Sequence, residues 1–154
     1  MLYIALINWV NRMQIQNILV VCVGNICRSP MAEFFLKQSH PDLKIESAGL
    51  AAMVGHSADN KAIACMDALN IDMRSHIARQ INAELVKKAD LVLVMSKNQS
   101  QHIEQKWPFA KGKVFRLGHW QDQNVPDPYK HDQAFFDETC KNIQTYANDW
   151  QSHL

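Results

Sequence analysis

The apolar positions of the chain fall into two rhythms. Ile18-Leu19-Val20-Val21 and Leu91-Val92-Leu93-Val94-Met95 are unbroken apolar runs of strand length. Such runs belong to strands covered on both faces, as in a parallel sheet. Elsewhere apolar residues return at helical spacing. Met31, Phe34 and Phe35 form one such stripe, and Ala62, Ile63, Met66 and Leu69 a second. Phe135, Phe136, Cys140, Ile143, Tyr146, Ala147 and Trp150 form the longest. The pattern predicts strands over residues 17–22, 43–47, 91–95 and 113–117. It predicts helices over 30–39, from 57 or 59 to about 69, over 83–88 and 98–106, and a long final helix. Ser29 reads as an N-cap with Pro30 at the first helical position. Strands alternating with helices imply an α/β fold: a three-layer, doubly wound, four-stranded parallel sheet with helices on both faces. Ligands of such sheets bind beyond the carboxyl ends of the strands. Residues 22–30 lie at that edge.

Composition narrows the picture. A chain of 154 residues, 47% hydrophobic, is one ordinary domain with a full core. A net charge of +1 argues against a large nucleic-acid footprint. The apolar stretch within residues 1–12 is too short to span a bilayer, and it lacks the basic start of a signal peptide. Those residues are expected to lie outside the core, with residues 13–154 forming the domain and Met13 an alternative start. The cysteines are Cys22, Cys27, Cys65 and Cys140, with no C-x-x-C pair, so no zinc or other metal and no cofactor is expected. A reducing cytoplasm suits a chain whose chemistry rests on a free thiol.

That chemistry is concentrated in Cys22-Val23-Gly24-Asn25-Ile26-Cys27-Arg28-Ser29. Five residues between a cysteine and an arginine are about what a chain needs to circle one phosphate-sized anion with its amides. A following helix adds the positive end of its dipole, which also activates a cysteine as nucleophile. Arg28 supplies a planar fork for two phosphate oxygens. Gly24 and Asn25 suit turns that other residues resist. A Ser29 hydroxyl is placed to donate to the sulfur. Taken alone, the loop is an anion site with a reactive cysteine.

The run VCVGNICRSP resembles the signature of low-molecular-weight protein tyrosine phosphatases. The similarity runs from about Gln16 to the C-terminus and includes ESAGL at 46–50, SHIARQ at 75–80, DLVLVM at 90–95, GHW at 118–120 and PDPY at 126–129. The bacterial branch linked to capsule and exopolysaccharide export is the nearest in pattern. The resemblance implies a phosphotyrosine phosphatase I-like fold. It implies Cys22 as nucleophile, Arg28 as the phosphate and transition-state ligand, and Asp127 as general acid and then base. It implies that Asn25, Ser47 and His76 brace the loop, and that Cys27 can pair reversibly with Cys22 under oxidation. The implied partner is a phosphotyrosine protein, typically a membrane tyrosine autokinase. The chemistry agrees: a phenolate leaves poorly below its pKa of about 10, and a positioned acid is worth roughly 10²–10⁴-fold. Pro126 and Pro128 would stiffen the loop that carries Asp127.

The chain departs from eukaryotic relatives around the site. Where they carry a tryptophan it has Leu50-Ala51-Ala52-Met53, and Lys130 rather than a second tyrosine follows Tyr129. The expected substrate wall is Leu50, Met53 and Tyr129, favouring aryl phosphates. Two rivals bear weighing. Arsenate reduction on the same fold needs shuttle cysteines, and residues 71–100 contain none. A non-catalytic phosphotyrosine-binding module has no use for Cys22, Arg28 and Asp127 together.

Overall fold

The computed structural model describes residues 15–154; the expectations for residues 1–12 and Met13 lie outside them. Four strands form one sheet: β1 (Asn17–Cys22), β2 (Lys44–Gly49), β3 (Leu91–Val94) and β4 (Val114–Arg116). All neighbours are parallel, in the order β2-β1-β3-β4. Along β1, Ile18, Val20 and Cys22 face one core, and Leu19 and Val21 the other. Along β3, Leu91 and Leu93 face the first, and Val92 and Val94 the second. This period of two puts every side chain of Ile18–Cys22 and Leu91–Val94 under cover, which is why both runs are apolar throughout.

Helix α1 (Arg28–Ser39), α2 (Asn60–Asp67) and α5 (Gln133–Trp150) close the first face through Met31, Phe35, Met66, Phe136, Ile143 and Trp150. Helix α3 (Ala83–Lys88) and α4 (Lys97–Lys106) close the second through Val86, Ile103 and neighbouring Trp107. The expected three-layer, doubly wound architecture is the observed one. Side-chain caps start four of the helices: Asp59, Asn82, Ser96 and Asp132 each accept a first-turn amide.

Two boundaries differ from the sequence pattern. Helix α2 stops at Asp67, short of Leu69, because Asn70 turns left-handed at φ 60°. Helix α1 begins at Arg28 with Cys27 in the cap position, so Ser29 is not the cap. Its hydroxyl is engaged elsewhere, as described below. Pro30 remains in the first turn, where its missing N–H costs nothing. The switch in winding direction lies between β1 and β3, and the β1–α1 loop opens on that crevice.

Candidate active site

The loop from Cys22 to Cys27 is turned inside out relative to ordinary backbone, and the reason lies in its carbonyls. Leu50, Ala51 and Met53 donate their N–H groups to the carbonyls of Cys22, Val23 and Gly24 at 2.9, 3.0 and 3.0 Å. The His76 ring faces the Asn25 carbonyl at 2.6 Å. Asp59 N–H bonds the Ile26 carbonyl at 2.9 Å, and Met31 N–H the Cys27 carbonyl at 3.2 Å. Every carbonyl of the loop is therefore drawn outward. In a planar trans peptide the next N–H points the opposite way. The amides of residues 23–28 are consequently left to converge on the space above Cys22, a nest for an oxyanion. The nearest amide shows this directly: Asn25 N–H reaches Cys22 Sγ at 3.3 Å.

Asn25 holds the loop in shape. Its backbone is left-handed at φ 59°, a conformation asparagine tolerates better than most residues. Gly24, in contrast, does not use positive φ. Asn25 is fully buried, and its Nδ2 donates to Ser29 Oγ (2.7 Å) and Ser47 Oγ (3.0 Å). Its Oδ1 accepts from Arg79 N–H at 3.0 Å. These bonds fix the direction of the others. Ser29 Oγ accepts from Asn25, so its own proton is available to Cys22 Sγ, 2.9 Å away. Ser47 likewise accepts from Asn25 and donates to Glu33 Oε1 at 2.5 Å. Glu33 Oε2 pairs with Lys37 at 2.6 Å. Because the Asn25 carbonyl can only accept, His76 Nε2 is the donor to it.

The side chains of Asn25 and Ser29 sit behind the loop, away from the cleft, so the part of these two residues in phosphate binding falls to the backbone while Asn25 braces the loop and Ser29 serves the sulfur. Ser47 and His76 are in the bracing network, together with two residues the sequence reading missed. Glu33 and Lys37 lie four apart on α1, and Glu33 is buried although it is charged. Arg79 lies in an irregular stretch, where it also donates from Nε to the Ser47 carbonyl at 3.0 Å. Neither carries a local signal of its place.

Arg28 and Asp127 meet although 99 positions separate them. Arg28 opens α1 and is buried; its Nη1 donates to the Val125 carbonyl at 2.9 Å, and its Nη2 lies 3.5 Å from Asp127 Oδ2. Val125 is itself tied to the end of β3, its N–H bonding the Met95 carbonyl at 2.8 Å. The carboxylate also accepts from Tyr129 N–H at 3.1 Å, which closes a short turn around Pro128. Arg28 Nε is buried and has no partner among the described residues. Such a group costs about 1–3 kcal/mol. A bound oxyanion would relieve it.

These groups border a cleft of about 160 Å³. Its floor is Cys22, Val23, Gly24, Ile26, Cys27 and Arg28, and its walls are Ala51, Met53, Asp127 and Tyr129. Leu50 is not among the walls. Two residues beyond Ala48, it keeps the alternation of β2 and packs into the opposite core. Ala51 takes the place expected for it. Gly49 makes this crossing possible, since a Cβ there would lie 2.5 Å from the Val23 carbonyl oxygen. Cys27 shares the floor with Cys22, and burial, then the Asp59 carboxylate, push its thiol well up. The arrangement can hold a tetrahedral oxyanion over a sulfur, neutralise it with a guanidinium, and place one carboxyl at the mouth.

Comparison with known proteins agrees with the geometry. A family model for low molecular weight phosphotyrosine protein phosphatase matches residues 17–154. A low molecular weight protein-tyrosine-phosphatase of Acinetobacter johnsonii is 66% identical over 142 residues, spanning 92% of this chain and 100% of the relative. Wzb of Escherichia coli K12, named as the same type of enzyme, is 42% identical, spanning 90% of this chain and 95% of its own. The solved structure of Vibrio vulnificus Wzb in complex with benzylphosphonate superposes with a TM-score of 0.88 at 35% identity, covering 91% of this chain and 99% of that one. The match takes in all four strands, the loop around Cys22 and the segment bearing Asp127, and so the chain belongs to the low molecular weight phosphotyrosine protein phosphatase family.

Proposed function

We propose that the chain hydrolyses phosphotyrosine in proteins by two phosphoryl transfers through Cys22, without a metal, in the cytoplasm. The observation that carries this reading is the outward capture of every carbonyl from Cys22 to Cys27, which leaves the amides to an oxyanion. In the first step Cys22 Sγ attacks phosphorus and the bond to the tyrosine oxygen breaks. Asp127 gives that oxygen its proton. In the second step water attacks the phosphocysteine, Asp127 takes its proton, and the S–P bond breaks to release inorganic phosphate and the thiolate. Charge on the equatorial oxygens is met by the loop amides and Arg28. In the free protein Arg28 pairs with Asp127. Substrate oxygens take over the guanidinium and leave the carboxyl to face the leaving group.

Tyr129 and Met53 suit a phenyl ring stacked in the cleft. The benzylphosphonate complex of the Vibrio relative, an aryl group one carbon from phosphorus, fits that use. For the physiological substrate we propose a membrane tyrosine autokinase of capsule or exopolysaccharide export, on the similarity of the motifs to that bacterial branch. The reductase reading loses support from Cys65 and Cys140, which lie where α2 meets α5 rather than in the cleft floor. The test is hydrolysis of phosphotyrosine peptides with and without a chelator. Activity insensitive to chelator, with phosphate trapped on Cys22 after an acid quench, is the expected result. Phosphate binding without turnover would replace the enzyme with a binding module. A Cys22→Ser pull-down from native lysate, probed for phosphotyrosine, is expected to retain a membrane kinase.

A further inference from the structure

We propose that Lys130 is a specificity-determining residue that selects phosphotyrosines with an acidic side chain beside them. The inference rests on the phosphatase reading above and deepens it. Lys130 occupies the third position of a tight turn closed by His131 N–H on the Pro128 carbonyl at 2.9 Å. Its φ is 70°, the left-handed region in which such a turn asks for glycine or asparagine. A lysine there is strained, and strained residues persist mostly where function holds them.

The turn is also the one that positions the site. It begins one residue after Asp127, and Tyr129, its second residue, is a wall of the cleft. The Lys130 ammonium lies 5.6 Å from the centre of the Tyr129 ring. It is therefore held beside the ring against which the substrate ring would stack. Lys130 is exposed and does not line the cleft, so its charge is at the mouth rather than over Cys22.

Neighbouring cations are committed within the protein. Lys61 Nζ donates to the His131 carbonyl at 2.5 Å, and Arg28 bonds Val125 and Asp127. Lys130 makes no ion pair with any described residue. With the phosphoryl group seated on the loop and the substrate ring against Tyr129, the substrate's main chain lies at the mouth beside that wall. A carboxylate on a residue flanking the phosphotyrosine then comes within reach of Lys130.

The test compares phosphotyrosine peptides that differ only in an aspartate or an alanine next to the phosphotyrosine. Lys130→Gly suits the positive φ, so folding is not at risk, and Lys130→Arg keeps the charge. Wild type and Lys130→Arg are expected to prefer the acidic peptide by about two- to five-fold in kcat/KM, the size of an exposed ion pair. The preference should appear in KM and fade at about 1 M salt. In Lys130→Gly the ratio should fall to about one. An unchanged ratio in Lys130→Gly, or no preference in wild type, overturns the proposal. So does an equal loss on both peptides and on para-nitrophenyl phosphate, which would put the charge on the phosphate itself. A wild type that hydrolyses none of the three overturns the phosphatase reading as well.

Discussion

Cys22 and the Cys65–Cys140 pair are buried to nearly the same degree, at 2%, 6% and 4% exposure, yet they are equipped for opposite chemistry. Cys22 receives: Asn25 N–H and the Ser29 hydroxyl both point at its sulfur. Cys65 also gives: its sulfur accepts from Gln133 Nε2 at 3.3 Å, but its own thiol donates to Asp137 Oδ1 at 3.1 Å. Burial first, then that carboxylate, push the Cys65 thiol well up. Cys140, whose thiol faces the Met66 sulfur at 3.8 Å, is pushed up to about 11, mainly by burial. Burial holds Cys65 and Cys140 as thiols. What sets Cys22 apart at similar burial is that Asn25 N–H and the Ser29 hydroxyl offer hydrogens to its sulfur and no carboxylate among the described residues takes its own.

The comparison breaks most readily at the sulfur itself. Cys22→Ser is expected to abolish turnover of any aryl phosphate, measured by phosphate release; an active Cys22→Ser protein would end the claim that this cysteine is the nucleophile. Asp127→Asn comes next, with a loss of roughly 10²–10⁴-fold on phenyl phosphate and a much smaller one on para-nitrophenyl phosphate. Equal losses on the two would remove its role as proton donor. Ser29→Ala deletes the hydroxyl that donates to Cys22 and accepts from Asn25, and about tenfold in kcat/KM is expected from one lost hydrogen bond to a charged group.

Alkylation sharpens the contrast without a substitution. Near neutral pH, iodoacetate should label Cys22 first, with inorganic phosphate protecting it. Cys140, held as a thiol until the pH approaches about 11, should label only on unfolding. Peptide mapping that finds Cys65 or Cys140 labelled as fast as Cys22 would erase the distinction. The smallest effect is expected for Cys140→Ala: about 1 kcal/mol of stability in urea titration, from a small cavity, with kcat/KM unchanged.

Much of this was legible along the chain. The apolar runs at β1 and β3 announced a sheet covered on both sides, because only such strands need every position apolar. The spacing from Cys22 to Arg28 announced an anion loop. Leu50 was less legible than its neighbours, although Ala48 already marked which positions of that strand face the far core. Ser29 looked like a cap because serine before proline usually is one; here its hydroxyl serves Cys22 and Asn25 instead. Glu33 offered no sign of burial, since its partner Ser47 lies on another element.

Periodicity and spacing along the chain suffice for the class of fold, the position of the loop at a strand's carboxyl end, and the residue types able to bind and attack a phosphoryl group. Periodicity and short spacing are local properties, and local sterics read them out. Tertiary structure alone decided which way the loop's peptides face. Their carbonyls are claimed by Leu50, Ala51, Met53, Asp59 and His76, and Arg28 meets Asp127 across the β3 end. A hydrogen-bond partner far along the chain is chosen only when folding brings it near. The loop's amides become an oxyanion site at that moment and not before.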